Sequence, residues 1–230
     1  MKNQKNLIFE PAPVLLFVYK RIATLKKVIK SLNENNSFYR KELYIFSDGP
    51  KKESEKNRIK KLRRYLFEIK GFNKVKVFIR KKNIGTASNI IQGVSKIIKV
   101  KKKVIVVEDD IIVSKNFLQY MNDNLEKYKN HKKVWHISGW NWNFNFPEYK
   151  YDFFFMRYAT CWGWATWSDR WKYFKKNPKK LIKSFTKNKI KEFNLDNSYD
   201  FWSQVIRNEK KIINTWAIFW YATIFIKKGL

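Results

Sequence analysis

The sequence predicts an α/β fold, a mostly parallel central sheet wound on both faces by helices, and three observations predict it. Short apolar runs alternate with stretches of helical spacing through the first half of the chain, the pattern of successive βαβ units. One of these runs, Val104-Ile-Val-Val107, is entirely aliphatic and β-branched, as befits a central strand covered on both faces. Polar residues that could do chemistry, Arg21, Asp48 and Glu108-Asp109-Asp110, fall just after apolar runs. That is the carboxyl edge, where open α/β sheets bind ligands.

Pro13 to Val18 reads as the first strand, closed by Tyr19-Lys20-Arg21. Leu25, Val28, Ile29 and Leu32 recur at helical spacing, with Thr24 placed as N-cap. Leu43 to Phe46 is a second strand, ended by the turn signal Ser47-Asp48-Gly49-Pro50. A charged helix follows from about Ser54 to Phe67, then a third strand from Val75 to Ile79. Asn83-Ile-Gly85 turns into a helix carrying Ile90, Ile91, Val94, Ile97 and Ile98. The strand at 103–107 comes next, and a helix-like stretch covers 115–129.

The second half differs in kind. All 10 tryptophans lie between Trp135 and Trp220. Val134–Trp140 and Phe153–Met156 read as further strands, and Trp162–Trp171 as the opening of a helix with positions 164, 167 and 171 on one face. Trp167 and Trp171 read as core. Trp162 and Trp164 flank Gly163, which permits close backbone approach, so one of the two is expected to face a sugar ring or a base. The change near position 133 separates two halves of one domain spanning 1–230.

Composition bounds the partners. Lys+Arg 50 against Asp+Glu 19 gives a formal charge of +31, which calls for an anionic partner: a nucleic acid, an anionic lipid surface or a phosphorylated substrate. The single cysteine, Cys161, excludes an internal disulfide and fits a reducing compartment. The amino-terminal residues resemble neither a signal peptide nor a span, and the apolar run 215–226 is too short to cross a bilayer. A soluble, cytoplasmic protein is expected.

The acidic triplet is the sharpest feature. Carboxylates a few ångströms apart raise one another's pKa and resist ionising together. A hard divalent cation relieves that repulsion, and oxygen ligands suit Mg2+ or Mn2+. The competing reading is an exposed acidic turn before a helix.

Val106-Val107-Glu108-Asp109-Asp110-Ile-Ile-Val113, with Phe117 and Tyr120 beyond it, resembles the signature segment of the GT-A glycosyltransferases that transfer N-acetylglucosamine to mannose, and of their bacterial relatives. Further matches follow the family's order: Arg21, Asp48, Ser138-Gly139-Trp140-Asn141, Gly163-Trp164 with Trp171, and Ser198-Tyr-Asp200-Phe-Trp202, so the resemblance extends over about 13–225. It implies that Arg21 contacts the nucleotide and Asp48 the uracil or ribose. Glu108 and Asp109 would hold nucleoside and sugar, and Asp110 the Mn2+ or Mg2+. Asp200 would be the base of an inverting transfer, against the plainer reading of a helix N-cap. His131 and His136 are rival bases that match no motif position. The implied donor is a nucleotide sugar, a UDP-sugar, and the acceptor a glycan or lipid-linked glycan of a bacterial surface polysaccharide, which would place the enzyme at the inner membrane face. Relatives of that family continue past the position of Leu230 into a loop over the donor, so a non-catalytic remnant is the alternative within the family. Outside it, a basic aromatic nucleic-acid-binding protein would have to tolerate an acidic cluster in its groove. A nucleotidyltransferase would show a glycine-rich first loop, which Tyr19-Lys20-Arg21-Ile22 lacks. No specific nucleic acid is therefore expected.

Overall fold

The computed structural model describes residues 9–141 and 153–230. Its centre is a six-stranded sheet in the order β3-β2-β1-β4-β6-β5, formed by β1 (Val14–Val18), β2 (Glu42–Ser47), β3 (Lys74–Ile79), β4 (Lys103–Glu108), β5 (Ile137–Ser138) and β6 (Trp164–Trp167). β1 pairs in parallel with β2 and with β4, and β2 with β3, while β6 runs antiparallel to both β4 and β5. The mostly parallel α/β sheet expected from the sequence is thus present.

Alternation along each strand divides the core into two layers. Val14, Leu16, Val18, Leu43, Ile45, Ile105 and Val107 face one side. There they meet Leu25 and Leu32 of α1 (Ile22–Asn33), Leu62 and Leu66 of α2 (Lys56–Glu68), and Leu118 and Met121 of α4 (Phe117–Lys127). Leu15, Phe17, Phe46, Val104 and Val106 face the other side, against Ile90, Val94 and Ile97 of α3 (Thr86–Lys101). Buried runs on both faces explain why these strands lack polar alternation.

α3 approaches β1 closely because it carries Gly93 at the contact. A Cβ there would lie 2.6 Å from the Phe17 ring, which itself stacks on Phe46 at 5.1 Å. We expect Gly93→Ala to lower stability by about 1–3 kcal/mol through overpacking, despite a gain of up to about 1 kcal/mol in helix propensity. Urea unfolding measures this, and an unchanged midpoint would show that the Phe17–Phe46 stack yields.

Four expectations for local structure are corrected. Trp162–Trp171 is not one helix: 164–167 is strand β6, and only Ser168–Trp171 (α5) is helical. A spacing of three puts Trp164 and Trp167 on opposite faces of a strand, and they indeed join opposite core layers. The strand expected over 134–140 shrinks to Ile137–Ser138, because the Trp135 and His136 N–H groups donate to the Leu230 carbonyl instead of a strand. Phe153–Met156 forms no strand. α1 begins at Ile22 with Arg21, not Thr24, in the N-cap position.

The carboxyl-terminal region packs four further helices, α6 (Pro178–Ser184), α7 (Lys187–Phe193), α8 (Trp202–Glu209) and α9 (Ala217–Ile226). α9 is buried nearly all round: Trp220 and Ile224 enter the sheet-side layer, while Phe219, Tyr221 and Ala222 face Phe193 and Val205. Among the described residues no helix is long and apolar enough to cross a membrane.

Candidate active site

The sheet order reverses between β1 and β4: strands β2 and β3 lie beyond β1, whereas β6 and β5 lie beyond β4. A crevice opens at such a switch point, past the carboxyl ends of the strands. β1 delivers Tyr19 and Arg21 to it, β2 delivers Asp48, and β4 delivers the acidic triplet.

Asp109 is fixed from two sides. The Tyr19 N–H donates to its Oδ2 at 3.0 Å, and the Arg21 guanidinium donates to Oδ1 through Nε at 3.0 Å and Nη2 at 2.5 Å. The same guanidinium reaches Asp110 Oδ2 through Nη1 at 2.9 Å. One cation therefore bridges two of the three carboxylates. Burial pushes the Asp109 carboxyl above its usual range, although the Tyr19 and Arg21 bonds oppose the rise. Burial, together with the charges of Asp110 and Asp109, raises Glu108 further, to about 7. The strand end thus holds negative charge that one arginine only partly offsets.

The triplet straddles two adjoining cavities. Glu108 and Asp109 line one of about 180 Å³, with Tyr19, Arg21, Asp48, Lys51, Asn83 and Asn89. Asp110 lines the next, about 530 Å³, with Ile112, Phe117, Gly139, Trp140 and Trp162. The first wall, set in the sheet crevice, carries charged and amide side chains beside Phe17 and Val18, and the second carries Phe117, Trp140 and Trp162.

Asp48 is 4% exposed and accepts four hydrogen bonds: from the Gly49 and Ile84 N–H groups at 2.8 and 3.0 Å, the Gly85 N–H at 3.0 Å and the Asn83 amide at 3.1 Å. Its carboxylate closes the 83–85 turn onto the end of β2, where Gly85 has a φ of +78° that favours glycine. Of the flanking tryptophans, Trp162 is 44% exposed and meets Trp140 edge to face at 4.3 Å. Trp164 is wholly buried, stacked between Trp216 and His136. This corrects the expectation for Trp164, since a side chain without solvent contact cannot receive a substrate.

Asp200 lies outside both cavity walls. It is exposed, and its Oδ1 accepts the Ser203 N–H at 3.0 Å in the first turn of α8. His131 is exposed on the turn after α4. His136 is buried, with its Nε2 facing the Thr160 carbonyl at 2.8 Å and its Nδ1 accepting the Trp220 N–H at 3.1 Å. These partners fix one neutral tautomer, and burial pulls its pKa down to about 4. A histidine depressed from about 6.5 supports the fold above that pH, and its contribution is lost as pH falls toward 4. We expect about 2 kcal/mol less stability at pH 5 than at pH 7 from this residue. His136→Gln retains a donor and an acceptor, so it should remove that part of the slope in urea unfolding. Equal slopes would mean that His136 is protonated freely in the fold.

Several supporting residues carried no signal in the sequence. Glu55 accepts the Tyr19 hydroxyl, the Lys20 ammonium at 2.7 Å and the Lys51 and Lys52 N–H groups, and these bonds, led by the one from Lys20, hold its pKa near 2. Arg63 reaches from α2 to the Asp48 and Arg80 carbonyls at 3.0 and 2.8 Å. Burial pushes the Cys161 thiol up to about 11, which leaves it unreactive.

Among the described residues no cluster of three or more acids, histidines or cysteines could cage a metal. The donor set still suits Mg2+ or Mn2+, which are commonly held by one or two carboxylates and the phosphates of a substrate. Asp110, half exposed at the junction of the cavities, is the carboxylate so placed.

The switch-point crevice, its acidic strand end and the bridging arginine define an α/β protein with its candidate ligand site at the strand carboxyl ends. Residues 14–189 match Glycosyl transferase family 2, and the chain belongs to that family. No curated protein matches the chain. Among solved structures it is similar to Staphylococcus aureus TarS, at 14% identity and a TM-score of 0.39 over 52% of this chain and 20% of that one. It is also similar to the mannosyltransferase PcManGT of Pyrobaculum calidifontis, solved with GDP-Man and Mn2+, at 10% identity and 0.39 over 57% and 36%. The apo glycosyltransferase GlyE of Streptococcus pneumoniae matches at 16% identity and 0.35 over 90% and 44%. The chain therefore spans less than half the length of each.

Proposed function

We propose that this chain is an inverting, metal-dependent glycosyltransferase that moves a sugar, N-acetylglucosamine on the resemblance, from a UDP-sugar to a glycan or lipid-linked acceptor in bacterial surface-polysaccharide synthesis. The observation that carries the reading is the division of Glu108-Asp109-Asp110 between a cavity bearing Arg21, Asp48, Asn83 and Asn89 and one bearing Phe117, Trp140 and Trp162. A nucleotide sugar has the same division: a polar nucleotide and a ring whose apolar face suits an indole.

In this reading the nucleoside occupies the smaller cavity. Asp48 shapes its wall by holding Asn83 and the 84–85 backbone, and Arg21 meets the nucleotide while steering Asp109. Glu108 and Asp109 hold the nucleoside and sugar. Trp162 offers its exposed ring to the transferred sugar or the acceptor. Asp110 would hold Mn2+ or Mg2+, which neutralises the charge that builds on the departing diphosphate. Asp200 would take the proton from the acceptor hydroxyl as that oxygen attacks the anomeric carbon. That role requires α8 and the acceptor to come together, with Asp200 keeping its bond to Ser203 or giving it up. The first half of the chain is then the donor side of a single domain and the tryptophan-rich half its acceptor side.

Incubation with UDP-N-acetylglucosamine and Mn2+ should release UDP, and release should accelerate with a lipid-linked glycan acceptor. If no nucleotide sugar is consumed under any metal or acceptor condition, the proposal fails.

A further inference from the structure

We propose that the outer face of α2 is a docking surface for an anionic membrane. The inward side of this helix, Leu62 and Leu66, is covered by the core, while Ile59, 2% exposed, lines an outer groove beside Pro50. The outward side, with Lys81 from the neighbouring loop, forms this groove of about 440 Å³, lined also by Lys56, Lys60, Arg63, Arg64 and Phe67. No acidic residue lines it. Among the described residues the one ion pair on this face is Lys56 with the exposed Glu53 at 2.7 Å, so Lys60, Arg64 and Lys81 keep their charge for a partner.

Phe67 decides the kind of partner. It is 70% exposed at the carboxyl end of α2, where it lines the groove with Arg63, Arg64 and Lys81. A large apolar ring among cations matches the boundary of a bilayer, where the ring enters the acyl margin while the cations meet headgroup phosphates. A single-stranded nucleic acid would be met by a series of stacking platforms along a groove, and this groove has one ring. The placement also serves geometry. Arg63 ties α2 to the Asp48 carbonyl, and Pro50 of the groove adjoins Lys51 of the smaller cavity, so docking sets the mouth of that cavity beside the lipid surface. The inference is independent of glycosyl transfer, since Asp110→Ala should bind the same vesicles.

Cosedimentation with phosphatidylglycerol–phosphatidylcholine vesicles tests it. We expect binding at low salt, release at high salt and none to pure phosphatidylcholine. Lys60→Gln and Arg64→Gln should each weaken binding roughly fivefold, and Phe67→Ser should weaken it at unchanged charge. All three positions are exposed, so melting temperatures should match the parent. Lys180→Gln with Lys183→Gln on exposed α6 should change little. Equal losses from the α6 and α2 pairs would reduce the effect to overall charge and overturn the site. So would absence of binding to the anionic vesicles, or preferential capture by single-stranded RNA in competition with them.

Discussion

Asp110→Ala should lower turnover by at least about a thousandfold and abolish the Mn2+-dependent stabilisation by UDP, leaving the unliganded melting temperature nearly unchanged. A metal acting as Lewis acid and template is worth several kcal/mol of transition-state stabilisation, and each 1.36 kcal/mol is tenfold in rate. The fold should hardly notice the change. Asp110 is half exposed, and losing its ion pair with Arg21 at 2.9 Å leaves Arg21 still bonded to Asp109. Asp110→Asn is the sharper variant, since it retains the shape and loses the charge. Thermal shifts with UDP, with Mn2+ or EDTA, and UDP release from the donor together measure both effects. Full activity in either variant would remove Asp110 from the metal role.

Asp200→Asn should lower turnover roughly 10²- to 10⁴-fold, the usual worth of a positioned base, while UDP affinity stays within about twofold. The Asn side chain can still accept the Ser203 N–H, so the cap on α8 is retained and stability should change by a few tenths of a kcal/mol at most. A structural role and a catalytic one therefore separate in a single variant. Normal transfer in Asp200→Asn would make the residue a helix cap and nothing more.

The parallel half of the sheet was legible because burial on both faces writes itself as uninterrupted aliphatic runs, and β1, β2, β3 and β4 fall within a residue or so of the runs that announced them. Their carboxyl ends followed, and with them Arg21, Asp48 and the triplet. The tryptophan segment was misread because spacings of three and four fit a helix. Only pairing with Lys103–Val106, remote in sequence, makes Trp164–Trp167 a strand. Trp162 and Trp164 looked equivalent on either side of Gly163, yet the φ of +72° at Gly163 turns the chain, leaving one ring in the cavity wall and the other in the core. Glu55 and Arg63 were hidden among the many charges of 51–64, where nothing local marks the two that fold back onto β1 and β2. Asp48 showed its position but not that the 83–85 turn would saturate its oxygens.

The central claim is that the Glu108–Asp110 strand end and Arg21 form a nucleotide-diphosphate site completed by a divalent cation. Calorimetric titration of UDP into the full chain, in Mn2+ and again in EDTA, tests it most directly. We expect one site per chain in Mn2+, at least tenfold weaker binding in EDTA, and binding by Asp110→Ala that stays at the EDTA level whether or not Mn2+ is present. Equal affinity in Mn2+ and EDTA, or undiminished binding by Asp110→Ala, would contradict the account.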